Sequence, residues 1–237
     1  MLAGGQSSRM GRDKALLVLG GKPLVQHAVE TLGRVCREVA ILSARPELAG
    51  FGRLVPDRHP GCGPLGGMEA ALYDTRFDWN LFLPVDVPFL PSTFLREWLV
   101  WFRQLNEGTE TMPGVVAGAV RGMFWTVDGR AQPTVALLHR DMAPWLTEAL
   151  DRGEFRLGSV LENAARLAAT AAGLPPESGL LKPAFPPDFW SSPKPSRTAA
   201  ASDSTAWRGQ AEARWFSNLN TPEEFAEAET HRDRLDR

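Results

Sequence analysis

The sequence predicts an α/β fold built on a mostly parallel sheet. Strand-like and helix-like segments alternate along the chain. The run 80–87, NLFLPVDV, is apolar on both faces, as a strand buried in a parallel sheet requires. Three segments expected to end strands, Leu2-Ala3-Gly4, Val55-Pro56-Asp57 and Val85-Asp86, carry glycine or carboxylate. Ligands of such sheets bind at the carboxyl ends of strands, so the three can share one crevice.

After a Gly/Ser-rich basic loop at residues 4–14, Leu24, Ala28, Leu32 and Val35 recur at helical spacing. Residues 38–44, EVAILSA, read as a short buried strand, and Leu54-Val55 ends a second one. The segment 63–72, GPLGGMEAAL, reads as a glycine loop feeding a helix. Residues 91–105 read as a helix facing inward through Leu95, Trp98, Leu99, Phe102 and Leu105. Residues 115–120 and 134–139 are expected strands; 141–150 and 157–171 are expected helices. Residues 173–208 are rich in Pro, Ser and Ala and read as a poorly ordered insertion pinned by Phe185, Phe189, Trp190 and Trp207. Residues 215–237 are expected to form a strand, 215–219, and a last helix. Thr221 is its expected N-cap, Pro222 fits N1, and Glu224 at N3 closes a capping box.

At 237 residues, with 43% apolar and 23% charged side chains, the chain suits one soluble globular domain, 1–237. A net charge of -2 gives no global field for nucleic acid or an anionic membrane, so any phosphate site is local. Cys36 and Cys62 make no disulfide framework. Cys36 reads as a small buried apolar residue, and Cys62 as a loop residue rather than a nucleophile paired with His59. No run spans a membrane, no signal peptide is evident, and a cytoplasmic setting is expected.

The chemistry-bearing segment is LAGGQSSRMGRDKALL, residues 2–17. Gly4 and Gly5 let backbone N–H groups approach an anion, Ser7 and Ser8 add hydroxyls, and Arg9 and Lys14 add positive charge, a combination suited to a triphosphate. It is neither a P-loop nor a dinucleotide fingerprint. Asp86 closes a buried apolar strand, where a carboxylate is costly unless something binds it; Mg²⁺ with substrate phosphates is a fitting partner, and a turn-capping role is the alternative. Four histidines without a metal-ligand cluster argue against zinc.

These segments resemble the molybdenum cofactor guanylyltransferase family, a nucleotidyltransferase group with a Rossmann-like three-layer fold. The resemblance runs in order through LAGGQSSRMGRDKALL, GKPLVQH (21–27), GPLGGM (63–68), PVDVPFL (84–90) and NLNTPEEF (218–225). It implies that Leu2, Ala3, Gly4 and Gly5 contact a guanine nucleotide through the backbone. It further implies that Arg9 and Lys14 hold phosphates, Asp57 lies in the nucleoside pocket, and Asp86 binds Mg²⁺. Gln132, Pro133 and Thr134, with Asn218 and Asn220, would face molybdopterin. The implied reaction joins GMP from GTP to molybdenum-loaded molybdopterin, with molybdoenzymes or cofactor-delivery proteins as partners. Alternatives are a cytidylyl- or sugar-phosphate nucleotidyltransferase and a non-catalytic GTP-binding relative. Three features depart from the family pattern: a shortened first strand before LAGG, Gln132 where histidine is common, and no asparagine near Leu42 and Ser43.

Overall fold

The computed structural model describes residues 1–3, 13–185 and 215–236. Strands β1 (Val18–Leu19) and β2 (Lys22–Pro23) form a small hairpin ahead of helix α1 (Leu24–Gly33). Then come β3 (Ala40–Leu42), β4 (Arg53–Val55), α2 (Gly63–Asp74), β5 (Trp79–Phe82) and α3 (Ser92–Asn106). The hairpin β6 (Gly122–Val127) and β7 (Arg130–His139) leads to α4 (Ala143–Asp151) and α5 (Leu157–Ala171). Two short strands, β8 (Leu180–Leu181) and β9 (Ala184–Phe185), and helix α6 (Pro222–Glu229) complete the described elements.

The sheet is mixed rather than mostly parallel. β3 and β4 are parallel, and Leu2 bridges in parallel to Leu42 on one side and Pro84 on the other. Beyond it β7 runs antiparallel to both β5 and β6, while β8 and β9 pair in parallel with β6. The reversal follows from the two-residue turn Asp128-Gly129, since so short a connection joins only antiparallel strands. The strand expected at 115–120 is a series of turns instead, with Gly114 and Gly118 at φ 77° and 75°; pairing starts at Gly122. At 63–72 there is no loop before the helix: α2 begins at Gly63, with Pro64 in its first turn. The segment 215–219 is not a strand; its Trp215 and Phe216 are buried and its Leu219 N–H donates to the Asp86 carbonyl at 3.0 Å.

Alternation along β6 and β7 separates two apolar layers. Met123, Trp125, Val135 and Leu137 face α1 and α3, against Leu24, Leu32, Phe94, Trp98 and Phe102. Phe124, Ala136 and Leu138 face α2, α4 and α5, against Leu65, Met68, Leu146, Leu161 and Ala165. The first part of the expected insertion belongs to this body. Ser178 is buried, and Phe185 packs its ring against Phe94, Trp125 and Phe216 at 5.7, 6.1 and 5.2 Å. Phe189, Trp190 and Trp207 lie outside the described residues.

The α6 capping box is formed as the local sequence requires: Thr221 Oγ1 accepts from Glu224 N–H, and the Glu224 carboxylate accepts from Thr221 N–H. Thr221→Ala is expected to cost about 1 kcal/mol, read as a lower urea midpoint; an unchanged midpoint would show that the cap contributes nothing.

At the opposite edge of the sheet, a cavity of about 780 Å³ opens between the starts of β3, β4 and β5, lined by Met1, Cys36, Ala40, Trp79 and Leu81 among others. The Met1 ammonium is buried there and donates to the Ala40 carbonyl at 2.8 Å.

Candidate active site

The parallel ladder brings four chain segments to one edge in the order 55–57, 42–43, 2–3 and 84–86. Lys14 reaches this edge from a 3₁₀ turn, Lys14–Leu16, capped by Asp13, whose Oδ1 accepts from Ala15 N–H at 3.0 Å. Its Nζ donates to Asp86 Oδ2 and to Asn220 Oδ1, both at 2.8 Å. Residues separated by 72 and 206 positions therefore meet at one ammonium. Asn220 is set by α6, because its N–H donates to the same Glu224 carboxylate that closes the capping box. Asp86 is fixed by its backbone neighbours, Val85 N–H donating to Leu2 O at 3.1 Å and Leu219 N–H to Asp86 O.

Asp86 Oδ1 is buried and accepts no hydrogen bond among the described residues. Such an orphan oxygen beside a satisfied one suits a hard divalent cation, which takes one or two carboxylates and fills its shell with phosphate oxygens and water. Among the described residues no cluster of three or more His, Cys, Asp or Glu side chains is placed to hold a metal. A tightly caged ion is thus not built into them.

Leu2 and Ala3 sit where the sequence predicts, and their backbone groups are largely engaged. Leu2 N–H donates to Leu83 O at 2.8 Å, Leu2 O accepts from Val85, and Ala3 N–H donates to Leu42 O at 3.4 Å. The Ala3 carbonyl accepts from Arg45, whose guanidinium also pairs with Asp13 and donates to Ser43 Oγ. Arg45 thus clasps the residues on either side of 4–12. Sequence reading missed it, since nothing local distinguishes an arginine two residues past a small serine. Gly4, Gly5, Ser7, Ser8 and Arg9 lie outside the described residues.

Asp57 follows β4 and lies over the first turns of α2. Burial, and secondarily the nearby Glu69 carboxylate, raise its carboxyl above the ordinary aspartate value. A Cβ on Gly67 would stand 3.4 Å from Asp57 Oδ1 and from Leu42 Cβ, and 3.5 Å from Leu2 Cδ2, so Asp57 faces the strand ends that carry Leu2. A Cβ on Gly66 would meet the His59 carbonyl at 2.9 Å. Alanine normally favours a helix over glycine by up to ~1 kcal/mol, but a backbone atom at that distance must move. Gly66→Ala is therefore expected to destabilise the protein by about 1–3 kcal/mol and to weaken nucleotide binding; thermal unfolding alongside a GTP titration checks it, and a rise in Tm would contradict it.

Gln132, Pro133 and Thr134 lie half-buried on β7, where the register with β6 shifts between Phe124 and Thr126. β5 and β7 pair as far as Phe82 and Ala136, two residues short of Thr134. Asn218 is exposed and makes none of the described hydrogen bonds that gather at Lys14. Glu69, also absent from the sequence reading, is a carboxylate wholly buried on α2 behind Asp57.

The family model described as "MobA-like NTP transferase domain" matches residues 1–168. The chain is 35% identical over 170 residues to a molybdenum cofactor guanylyltransferase of Serratia proteamaculans, covering 69% of this chain and 78% of that protein. Its fold is similar to molybdopterin-guanine dinucleotide biosynthesis protein A of Archaeoglobus fulgidus, with TM-score 0.65 and 19% identity over 99% of this chain and 97% of that one. It is also similar to 2-C-methyl-D-erythritol 4-phosphate cytidylyltransferase of Thermus thermophilus, with TM-score 0.54 and 13% identity over 96% of each chain. By its family match and its 35% identity to a curated relative, the chain belongs to the MobA-like NTP transferase family.

Proposed function

We propose that the protein transfers GMP from GTP to the terminal phosphate of molybdenum-loaded molybdopterin, releasing pyrophosphate. The observation that carries the reading is the meeting of Lys14, Asp86 and Asn220 at the strand ends, in a chain similar to a named guanylyltransferase. Three strand spacings separate the Asp57 segment from the Asp86 segment, roughly 14 Å across the sheet edge. A nucleotide lying along that edge would place its base towards Asp57 and its phosphates towards Lys14.

In this reading an oxygen of the acceptor phosphate attacks the α-phosphorus of GTP. The bond between α-phosphorus and the bridging oxygen breaks, and its electron pair leaves with pyrophosphate. No protein nucleophile is needed; alignment and charge neutralisation supply the acceleration. Lys14 turns its ammonium from Asp86 and Asn220 towards the phosphates, and we assign Arg9 to the same charge. Asp86 Oδ1 is the ligand position for Mg²⁺, which when bound offsets negative charge on the phosphates. Gln132, Pro133, Thr134, Asn218 and Asn220 are assigned to the molybdopterin side.

Labelled GTP tests the reading. Label in the α-phosphate is expected in a guanine dinucleotide product, and label in the γ-phosphate in pyrophosphate. Label passing from the γ-phosphate to the acceptor would replace nucleotidyl with phosphoryl transfer.

A further inference from the structure

Glu69 is an acid at a position built for an apolar side chain. It has 0% exposure, and its neighbours on α2, Leu65, Met68, Ala70 and Leu72, are all buried. A buried charge is retained at a cost in stability, and an apolar residue of like volume commonly serves packing as well or better. Its Oε1 accepts from Arg58 Nη1 and from Thr147 Oγ1 on α4, both at 2.7 Å. Arg58 is held a second time, its guanidinium 4.2 Å over the ring of Tyr73, one helical turn beyond Glu69. His59 Nδ1 stands 3.7 Å from Glu69 Oε2 and its Nε2 3.6 Å from Asp151 Oδ1. One carboxylate therefore joins α2, α4 and the loop 56–62, and the loop residue it grips is the immediate neighbour of Asp57.

We propose that Glu69 is a positioning residue for the nucleotide: by drawing Arg58 down onto α2 it fixes Asp57 at the strand ends. The proposal rests on the reading that Asp57 meets the nucleoside. The loop carries Pro60 and Gly61, forms no strand or helix, and passes close over Gly66 and Gly67 of α2, so its side-chain ties to Glu69, Tyr73 and Asp151 set its position. Without the Glu69 anchor the Asp57 carboxylate would sample several positions, and GTP would have to select the productive one.

The test is a double-mutant cycle on the full chain, with GTP affinity, kcat and Tm measured for each variant. Glu69→Leu is expected to weaken GTP binding about tenfold, a coupling ordinary for residues in one contact network, while kcat changes less than about twofold. Glu69→Gln keeps an oxygen for Arg58 and Thr147 and is expected to restore most of the affinity. In an Asp57→Ala background Glu69→Leu is expected to add no further loss. Arg58→Ala/Glu69→Leu removes both charges together and provides a foldable version if the single change misfolds. Unchanged affinity in folded Glu69→Leu, or a loss that simply adds to that of Asp57→Ala, overturns the proposal. Wild-type GTP affinity in Asp57→Ala itself overturns the reading of Asp57, and with it the premise of the proposal.

Discussion

Asp86→Asn is expected to lower kcat by about 10²- to 10³-fold, the loss usual when one charge-stabilising group is removed from a preorganised site. The substitution keeps the side-chain volume and leaves an oxygen for Lys14, so the local packing survives. What it removes is the negative charge and the inward Oδ1 available to a divalent cation. Stability is expected to change little. The Lys14–Asp86 pair is 15% and 21% exposed, and a partly exposed pair of this kind contributes no more than about 1 kcal/mol. GTP is expected to bind the variant, because the lysine and the nucleoside side of the crevice remain. Steady-state rates over a Mg²⁺ titration, with the unfolding midpoint as control, decide the matter. Wild-type Mg²⁺-dependent turnover in a folded variant would remove Asp86 from the mechanism.

The second large effect is expected at Lys14. Lys14→Gln removes the ammonium at which Asp86 and Asn220 meet, both at 2.8 Å, and leaves a neutral side chain in its place. The phosphates then lose one of the positive groups proposed to offset their charge, and kcat/KM for GTP is expected to fall by about 10²- to 10³-fold. Stability is expected to change little, because the ion pair it breaks is partly exposed. Steady-state rates with the unfolding midpoint as control read the effect. Wild-type kcat/KM in a folded variant would remove Lys14 from the mechanism.

Local signals were legible in the sequence, and signals that depend on direction or distance were not. The α6 capping box lies within four consecutive residues, and its partners are those the sequence names. The stripes of α1 and α3 appear because one face of each is apolar, although Phe94, fully buried, lay outside the stripe read for α3. Strand direction leaves no trace in composition, so the reversal at β7 was open to misreading, though the Asp128-Gly129 turn carried the clue. Buried β6 has no alternation of polar and apolar residues to announce it, and the valines at 115–120 drew the assignment upstream. In the site, Lys14 and Asp86 stood out by type and setting. That they touch, and that Asn220 joins them, is set by the sheet and by α6. Arg45 and Glu69 were invisible because their meaning lies entirely in distant partners: Ala3 and Asp13 for one, Arg58 and Thr147 for the other.

The most direct test of guanylyl transfer is pyrophosphate release by the full chain with Mg²⁺ and molybdenum-loaded molybdopterin, with GTP and CTP supplied in parallel. Release with GTP and none with CTP is the result expected here. Release with CTP alone, or none with either nucleotide while GTP still binds, would contradict it.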